Sequence, residues 1–506
     1  MLTLIDNFLN TITMYRLMLY YLIALLIIAG LLGWFGILPY NPLAIAISVL
    51  LFTGICWVTN TIFARTFKTP TNYESVYISA LILALVITPI RSIHDLPFFF
   101  WVAVLSIASK YILAIFNKHI FNPVAFGLVI TSIGISQSAT WWVGTAAMLP
   151  FVLIGGMLIV RKLQRYDMVF SFIITALLTC FVFSLTGGTN LMTVLRQLTL
   201  SSPLFFFSFV MLTEPLTTPP TNRLQIYYGT LIGFLFAPQF HLFNIYTTPE
   251  SALIWGNVFS YLVSPKRKLI LKLKEKIQLA PDIVDFVFQT NKRFNFLPGQ
   301  YLEWTLAGTN PDTRGNRRYF TIASSPTEST IRMGVRFYNP ASSFKKALLS
   351  LNENSQIVAS QLAGDFVLPK DKSQKLVFIA GGIGITPFRS MLKYLIDKNE
   401  KRDIVLFFVN KNAGDIVYKD VFRQAGEKLG IKVVYALTDL ASVPLNWKGE
   451  KGRVSREMLK REVPDFRERL FYVSGPRSMV TGFEKVLRDL EIEKKRIVTD
   501  FFPGFA

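Results

Sequence analysis

The sequence has 506 residues and a formal net charge of +21, with 53 Lys and Arg against 32 Asp and Glu. A chain of this length is expected to hold two or three domains. Its only cysteines are Cys56 and Cys180, which excludes a disulfide framework or a four-cysteine iron–sulfur cluster within the chain. No basic stripe with interleaved aromatic residues is present, so no nucleic-acid partner is predicted.

The charged residues are distributed unevenly. Residues 1–264 contain 11 Lys and Arg with 6 Asp and Glu, whereas residues 265–506 contain 42 and 26. The first part is nearly uncharged and apolar, as in a polytopic membrane domain, and the second has the charge density of a soluble protein. We predict a transmembrane helical domain over 1–264 with the lipid bilayer as its partner, and we attribute the basic balance to anionic headgroups and dinucleotide phosphates.

Apolar runs of spanning length predict about ten transmembrane helices. They are 16–36, 42–63, 74–90, 96–116, 121–136, 139–160, 167–187, 200–214, 225–240 and 251–264. If the carboxyl terminus is cytoplasmic, the opposite loops hold only Arg91 and Arg196, while ten basic residues lie on the inside: Arg65, Lys68, Lys118, Arg161, Lys162, Arg165, Arg223, Lys266, Arg267 and Lys268. This bias predicts a multi-pass protein of the cytoplasmic (inner) membrane with both termini and the soluble domains in the cytoplasm.

Three positions in the membrane domain could carry chemistry: Asn122 before Pro123, Glu214 before Pro215, and Thr140. Helix ends that free backbone groups at membrane depth are tolerated where they face a cavity or ligand, although ordinary helix boundaries remain an alternative. Glu214 is a candidate for cation binding or proton relay. Lys110 is expected to snorkel to the interface.

The histidines exclude one kind of electron relay. His94, His119 and His241 are the only ones, and they lie in predicted loops or at helix ends. A transmembrane bis-haem relay needs paired axial histidines inside helices. No metal site is predicted.

Residues 74–264 resemble the family of membrane proteins shared by the sodium-translocating NADH:quinone reductase and the Rnf electron-transport complex. The resemblance rests on Phe121-Asn122-Pro123-Val124-Ala125, on Leu212-Thr213-Glu214-Pro215 and on Thr221-Asn222-Arg223. It implies a flavin in the membrane, FMN or riboflavin, with Asn122, Glu214 and Thr140 as candidate contacts. In the family, FMN is esterified to the threonine of Asp-x-x-Ser/Thr-Gly-Ala-Thr. Here Gly134, Gln137 and Ser138 depart from that pattern, which favours helix capping by Thr140 over covalent attachment.

After residue 268 the pattern changes to short alternating segments. Candidate strands at 269–277, 283–289, 300–306, 319–324, 331–337 and 356–361 predict an antiparallel β-barrel over 267–368. Strands at 375–380, 403–409, 432–437, 469–473 and 496–500 alternate with helical stretches and predict an α/β doubly wound domain over 373–506.

A glycine-rich turn follows the first α/β strand: Gly381-Gly382-Ile383-Gly384-Ile385-Thr386-Pro387. Glycines let the backbone approach a pyrophosphate, and the next helix offers amide donors at its start. Pro387 suits the first helical turn. The turn predicts dinucleotide binding by Gly381, Gly382, Gly384, Thr386 and Pro387.

A second motif lies on the barrel, at Arg318-Tyr319-Phe320-Thr321. Alternation places Arg318 and Phe320 on one face and Thr321 on the other unless the strand bends. Arg318 would pair with phosphate, the aromatic ring would stack on a flavin, and the Thr321 hydroxyl would bond a ring atom. The alternative is an ordinary core strand. Ser342 and Ser343 begin a helix, and the start of this helix is a second candidate position for binding phosphate.

Together these motifs resemble the ferredoxin–NADP⁺ reductase superfamily over residues 267–506. Pro298-Gly299-Gln300-Tyr301, Ser474-Gly475-Pro476 and the terminal Asp500-Phe501 add to the resemblance. It implies FAD at Phe320 and Thr321, with Tyr319 and Phe501 as further contacts. It also implies a nicotinamide beside Ser474, Gly475 and Pro476, and Thr321, Ser474 and Asp500 as catalytic residues. Phe320 replaces the family's usual Tyr, and Ser474 its common Cys.

The predicted function is a membrane-bound NAD(P)H-dependent flavin oxidoreductase. Electrons would pass from NAD(P)H through FAD into a flavin relay in the membrane domain, and on to a quinone or a transmembrane acceptor; partner subunits are possible. Asp415 is available for a ribose and no Arg is poised for a 2′-phosphate, which favours NADH. The alternatives are a redox-sensing channel or transporter with a regulatory flavin domain, and a haem ferric reductase, which the histidines disfavour.

Overall fold

The structure is a computed structural model that describes residues 5, 8–9, 12–67, 73–115, 118–186, 190–237, 241–242, 245–264, 269–290, 294–306, 316–338 and 341–500. The chain divides into two compact units, one up to residue 268 and one from Leu269.

The first unit is helical. Its helices are α1 (Met14–Trp34), α2 (Pro42–Thr66), α3 (Tyr73–Val86), α4 (Leu96–Ile112), α5 (Pro123–Ile135), α6 (Leu149–Leu163), α7 (Tyr166–Thr186), α8 (Leu191–Leu200), α9 (Leu204–Phe206, continued by a π-helical turn over Phe207–Met211), α10 (Asn222–Leu235) and α11 (Pro249–Val263). Two-residue ribbons pair Ala114–Ile115 with Lys118–His119 and His241–Leu242 with Ile245–Tyr246.

Several of these helices begin with the same local chemistry. Asn41, Asn122 and Thr248 each cap a helix whose first residue is proline, and each side chain accepts a hydrogen bond from a backbone amide of the first turn. Farther along the chain, Gly229 and Gly233 let α10 approach α7 closely. A Cβ at these positions would lie 2.4 Å from Met168 O and 2.5 Å from Phe172 O.

The predicted count of about ten spans is not confirmed. Four helical stretches of the described residues are long and apolar enough to cross a membrane: α1, α2, Ile93–Ile112 and Tyr166–Leu185. Leu191–Leu200 and Leu204–Met211 would make a fifth if this pair, bent by 53°, is one span. Each of the other predicted runs contains a helix, but a shorter one. Helix α3 has 14 residues and spans about 21 Å against a core of about 30 Å, and α6 begins at Leu149 rather than near 139 because turns precede it.

The second unit begins with six strands: β1 (Leu269–Ala280), β2 (Ile283–Thr290), β3 (Tyr301–Thr305), β4 (Arg317–Thr321), β5 (Thr330–Arg336) and β6 (Gln356–Ala363). They form one antiparallel sheet in the order β4-β3-β6-β1-β2-β5. The edge strands meet where Ala323 N donates to Arg332 O at 2.8 Å, which curls the sheet toward a barrel. The six predicted strands are confirmed, and α12 (Ser343–Leu349) precedes β6.

The parallel sheet of the second unit contains β7 (Leu376–Gly381), β8 (Ile404–Asn410), β9 (Lys432–Leu437), β10 (Glu450–Lys451), β11 (Leu470–Ser474) and β12 (Ile497–Thr499). Its order is β10-β9-β8-β7-β11-β12. The connecting helices are α13 (Thr386–Lys398), α14 (Lys419–Leu429), α15 (Arg456–Glu462) and α16 (Arg477–Asp489). The five predicted strands are confirmed, and β10 is additional. Because β8 and β11 flank β7, the strand order reverses beside β7, which is where such sheets bind ligands.

Candidate active site

A cavity of about 990 Å³ opens where the strand order reverses. Its lining includes the carboxyl ends of β7, β8 and β11, at Gly381, Asn410 and Ser474, together with the end of β4 at Thr321. This volume is near the top of the range of about 300–1,000 Å³ that is usual for cofactor sites. The cavity therefore joins the glycine-rich turn to the barrel motif.

The glycine-rich turn is shaped by close backbone contacts. Gly382 adopts a positive φ of 52°, which an L side chain rarely takes. A Cβ at Gly384 would lie 2.6 Å from the Cα of Gly475, and one at Gly381 would lie 2.3 Å from Met479 Sδ. The glycine-rich turn and the predicted nicotinamide segment Ser474–Pro476 thus approach each other through their backbones, and side chains in the turn would fill this space. Thr386 lines the same cavity, whereas Pro387 is buried in the first turn of α13 outside it.

The predicted pair Ser474 and Asp500 is in direct contact. Ser474 ends β11, and its hydroxyl donates to Asp500 Oδ2 at 2.9 Å. The amide of Asp500 donates to Val473 O at 3.0 Å, which fixes the carboxylate beside the strand. Both residues line the cavity, as do Gly475 and Pro476. Phe501, predicted to contact the flavin, lies outside the described residues.

The barrel motif is divided between the cavity and the core. Tyr319, Phe320 and Thr321 line the cavity. Arg318 is only 2% exposed and is not among the lining residues. Its guanidinium lies 5.3 Å from the centroid of the Phe344 ring, and the Phe320 ring lies 6.0 Å from that centroid. Arg318 and Phe320 therefore share one face of β4, as alternation predicts.

The two serines begin α12 as expected. Ser342 is the N-cap, and its hydroxyl accepts from Lys345 N at 3.2 Å, while Ser343 is the first helical residue. Neither lines the cavity, but Lys345 does. The Lys345 ammonium donates to Arg336 O at 2.8 Å and lies 5.4 Å from the ring centroid of Tyr338.

Four cations that line the cavity were not predicted from the sequence: Arg336, Lys345, Lys411 and Arg453. Lys411 follows β8 directly, and Arg453 lies just after β10. Because the carboxyl ends of parallel strands meet at one edge, the predicted strand β8 could have indicated Lys411. Arg453 could not be found in this way, because β10 was not predicted. Arg336 ends β5, and no local pattern distinguishes it.

The expected ribose contact of Asp415 is wrong. Asp415 is 7% exposed, and its Oδ2 accepts from Arg336 Nη2 at 2.9 Å. Arg336 also donates to Asp282 Oδ2 at 2.6 Å. The carboxylate of Asp415 is thus occupied by an arginine 79 positions away, and the preference for NADH loses its support.

In the first unit the structure brings two predicted residues together. Asn122 Nδ2 donates to Glu214 Oε2 at 2.8 Å, and His119 Nε2 lies 3.6 Å from Glu214 Oε1. The amide of Asn122 donates to Asn257 Oδ1 at 2.7 Å. Asn122 and Glu214 also line a cavity of about 60 Å³, which is room for a few water molecules.

Lys110 does not snorkel. Its ammonium donates to Ser75 O and Ser75 Oγ at 3.1 Å and to Ser79 Oγ at 3.0 Å. Three acceptors from α3 satisfy the three ammonium protons inside the helix bundle, so the side chain has no need to reach the interface.

Thr140 lies away from Asn122 and Glu214. Asn122 caps the start of α5, and Thr140 follows its other end, so the 13-residue helix puts about 20 Å between them. The expected role of Thr140 in helix capping is confirmed, at the carboxyl end of a helix rather than at its start. The Thr140 hydroxyl donates to Val86 O at 3.1 Å and accepts from Thr88 Oγ1 at 2.9 Å, so it satisfies the carboxyl end of α3.

Among the described residues, no group of three or more His, Cys, Asp and Glu side chains is arranged to hold a metal ion.

Comparison with known proteins gives two family matches. Residues 143–252 match the NQR2, RnfD, RnfE family, and residues 378–485 match the oxidoreductase NAD-binding domain. The chain thus joins a segment similar to the first family to a segment similar to an oxidoreductase NAD-binding domain. The two resemblances stated from the sequence are thereby confirmed.

Individual relatives match less than half of the chain. The flavohemoprotein of Bacillus thuringiensis subsp. konkukian is 27% identical over 216 residues, which cover 41% of this chain and 53% of that protein. The stachydrine N-demethylase reductase subunit Stc4 of Rhizobium meliloti is 26% identical over 234 residues, 45% of this chain and 65% of that protein. This chain thus spans about half to two thirds of these relatives. The Amycolatopsis cytochrome P450 reductase GcoB structure is 23% identical, with a TM-score of 0.42 over 47% of this chain and 70% of that one.

Proposed function

We propose that this chain is a membrane-bound NAD(P)H-dependent flavin oxidoreductase that delivers electrons from NAD(P)H, through FAD, to its membrane domain. The observation that carries the proposal is the single cavity that joins the end of β4, the glycine-rich turn and the Ser474–Asp500 pair. Its domains are a membrane domain (1–264), an FAD-binding barrel (267–368) and an NAD(P)-binding domain (373–506).

The cavity has the features that FAD requires. Phe320 offers an aromatic face, the Thr321 hydroxyl offers a hydrogen-bond partner, and Lys345 offers positive charge for a phosphate. Arg336 also lines the cavity, but its charge is balanced by Asp282 and Asp415. FAD supplies the conversion of two-electron chemistry into single-electron steps. The residues of the chain shape the cavity, place charged groups in it and exclude water from the flavin. Arg318 supports this site from the core by packing on Phe344.

The dinucleotide would lie over the glycine-rich turn. The start of α13 provides backbone amides for the pyrophosphate, and Gly381, Gly382 and Gly384 let it approach. Lys411 and Arg453 place two further positive charges along the cavity. Because Asp415 is held by Arg336, the sequence argument for NADH no longer distinguishes NADH from NADPH.

Ser474 and Asp500 would hold the nicotinamide end in position. The hydroxyl of Ser474 donates its proton to Asp500, so its oxygen is left with acceptor capacity toward the cavity. A fixed hydroxyl can orient a carboxamide without taking part in bond making. These residues and Thr321 are the proposed catalytic contacts.

For the membrane domain we propose a second flavin, FMN or riboflavin, as the resemblance of residues 143–252 implies. The cavity of about 60 Å³ beside Asn122 and Glu214 is too small for a flavin ring, which leaves these two residues to bind a hydrated cation or relay a proton. Electrons would leave to a quinone or to an acceptor across the membrane. The ten-to-two distribution of basic residues supports an even number of spans with cytoplasmic reductase domains.

The experiment is NADH and NADPH oxidation by the full chain, purified in detergent, with a soluble quinone as acceptor. Flavin is counted before and after acid precipitation of the protein. We expect oxidation of one or both dinucleotides and two flavins per chain. A protein that binds NADH without bleaching its flavin absorbance would be a redox sensor, and a count of one flavin would exclude the internal relay.

A further inference from the structure

The segment that follows β4 is bonded directly to the helix that follows the glycine-rich turn. Arg389 Nη1 donates to Ala323 O at 3.0 Å, and Ser390 Oγ donates to Ser324 O at 2.6 Å. Arg389 is 3% exposed and Ser390 is fully buried. Ala323 follows Thr321 by two residues, and Arg389 follows Thr386 by three. Two buried side chains therefore couple the two motifs that line the cavity.

Glu328 fixes the plane of the Arg389 guanidinium. The carboxylate receives both terminal nitrogens of Arg389, with Nη2 at 2.9 Å from Oε1 and Nη1 in contact with Oε2. The same Oε2 accepts from Ser325 N at 2.6 Å. A two-point arginine–carboxylate pair has one geometry, so the position of Ser325 determines the direction in which Arg389 points.

Arg389 also contacts an aromatic ring, that of Tyr418. Its guanidinium lies 5.6 Å from the ring centroid of Tyr418, and the Tyr418 hydroxyl packs so closely on Gly334 that a Cβ there would lie 2.6 Å from it. Gly334 lines the cavity. The carboxylate of Asp285, which is fully buried, pairs with Arg332 Nε at 2.9 Å. Burial raises the pKa of Asp285, and the nearby Arg332 and Arg389 charges oppose that shift.

We propose that Glu328, Arg389 and Ser390, here called the β4–α13 bridge, are positioning residues that set the alignment of the nicotinamide on the flavin ring. The inference rests on the proposed function, since it assigns the flavin to the end of β4 and the dinucleotide to the turn before α13. The bridge joins these two sites behind the cavity, so a change in it alters their separation without removing any contact to either ligand.

Stability alone does not account for such a pair. Replacing a buried ion pair by apolar side chains of similar volume is often neutral or stabilising, whereas removing one partner leaves an unpaired buried charge. What the charged pair adds is a fixed direction for the hydrogen bonds to Ala323 O and Ser325 N. This distinction separates a positioning role from a structural one.

The test uses the full-length protein in detergent with three changes. The double variant Arg389→Met/Glu328→Met removes both charges together, which retains folding. Ser390→Ala removes one hydroxyl. Arg423→Met is the matched control, because its pair with Glu427 at 3.9 Å on α14 is exposed. Each protein is measured for FAD content, thermal midpoint, steady-state oxidation of NADH and of NADPH, and the long-wavelength absorbance that appears when a nicotinamide stacks on an oxidised flavin.

The double variant should keep its FAD content and thermal midpoint, lose the long-wavelength absorbance, and show a kcat about 10- to 100-fold lower. Ser390→Ala should show a smaller fall of the same kind, and Arg423→Met none. The inference is overturned if the double variant keeps the wild-type absorbance and kcat, or if its activity falls only in proportion to lost FAD. Wild-type protein that oxidises at least one of the two dinucleotides keeps these outcomes separate from a failure of the proposed function. That failure would show as no oxidation of either dinucleotide by the wild type, and it would remove the inference with it.

Discussion

Replacing Gly384 by alanine should impair dinucleotide binding through a backbone collision. The new Cβ would lie 2.6 Å from the Cα and N of Gly475, whereas ordinary contacts begin at 3.4 Å. The turn and the Ser474–Gly475 segment must therefore separate by about 0.8 Å, and since the obstructing atoms are backbone, no side chain can rotate away. Overpacking of this kind costs about 1–3 kcal/mol in stability. A displacement near 1 Å in a reacting pair can lower a rate by up to about 100-fold.

The assay for Gly384→Ala is the steady-state kcat/KM for the dinucleotide that the wild type oxidises, NADH or NADPH, in the purified full chain with a soluble electron acceptor. We expect a fall of about 10- to 100-fold with FAD still bound, because the barrel contacts are unchanged. Gly426→Ala is the control: it lies in α14 with the nearest atom 3.5 Å away, and it should add up to about 1 kcal/mol of stability. A wild-type kcat/KM for Gly384→Ala would refute the assignment of this turn to the dinucleotide.

Three further changes test other parts of the protein. Ser474→Ala removes the hydroxyl that donates to Asp500 and should lower kcat about tenfold or more with little effect on stability. An unchanged kcat would contradict the proposed role of Ser474 in orienting the nicotinamide. Asp465→Asn removes a carboxyl whose pKa is lowered to about 2, first by hydrogen bonds from an arginine, so its stabilisation is fully present above the ordinary value of 3.8 and is lost as the pH falls from 3.8 through about 2. Measured by chemical denaturation, that variant should have an unfolding free energy lower than the wild type by about 1 kcal/mol at pH 6. Its unfolding free energy should fall less than that of the wild type between pH 6 and pH 2. An equal pH dependence in the two proteins would contradict this role of Asp465. Asn122→Ala removes a helix cap and a bond to Glu214, and should lower the unfolding free energy in detergent by about 1 kcal/mol, more than Asn190→Ala at an exposed cap.

The sequence predicted the parts of the second unit that depend on local pattern. Eleven of the twelve strands were placed because alternation, turn residues and apolar runs define them within a few positions. The glycine-rich turn was found because its requirement for glycine is local. Arg318 and Phe320 share a face because strand geometry has a fixed period of two residues.

The errors arose from contacts between distant residues. From the sequence, Asp415 was expected to contact a ribose, but its carboxylate accepts a hydrogen bond from Arg336. Lys110 was expected to snorkel, but its ammonium donates to Ser75 and Ser79. Neither contact could be predicted from the neighbouring residues, because the partners are 79 and 35 positions apart in the sequence. The span count failed for another reason, since apolar composition continues past the point where the backbone stops being helical. Helix α3 ends at Val86, shortly before Pro89.

The central claim is that electrons from NAD(P)H enter at the second unit and pass to the membrane domain of the same chain. Anaerobic titration of the detergent-purified full chain with NADH or NADPH, followed by flavin absorbance, tests it directly. The account predicts complete bleaching that requires two equivalents of dinucleotide per chain, one for each flavin. Bleaching complete at one equivalent, or binding without bleaching, would contradict it.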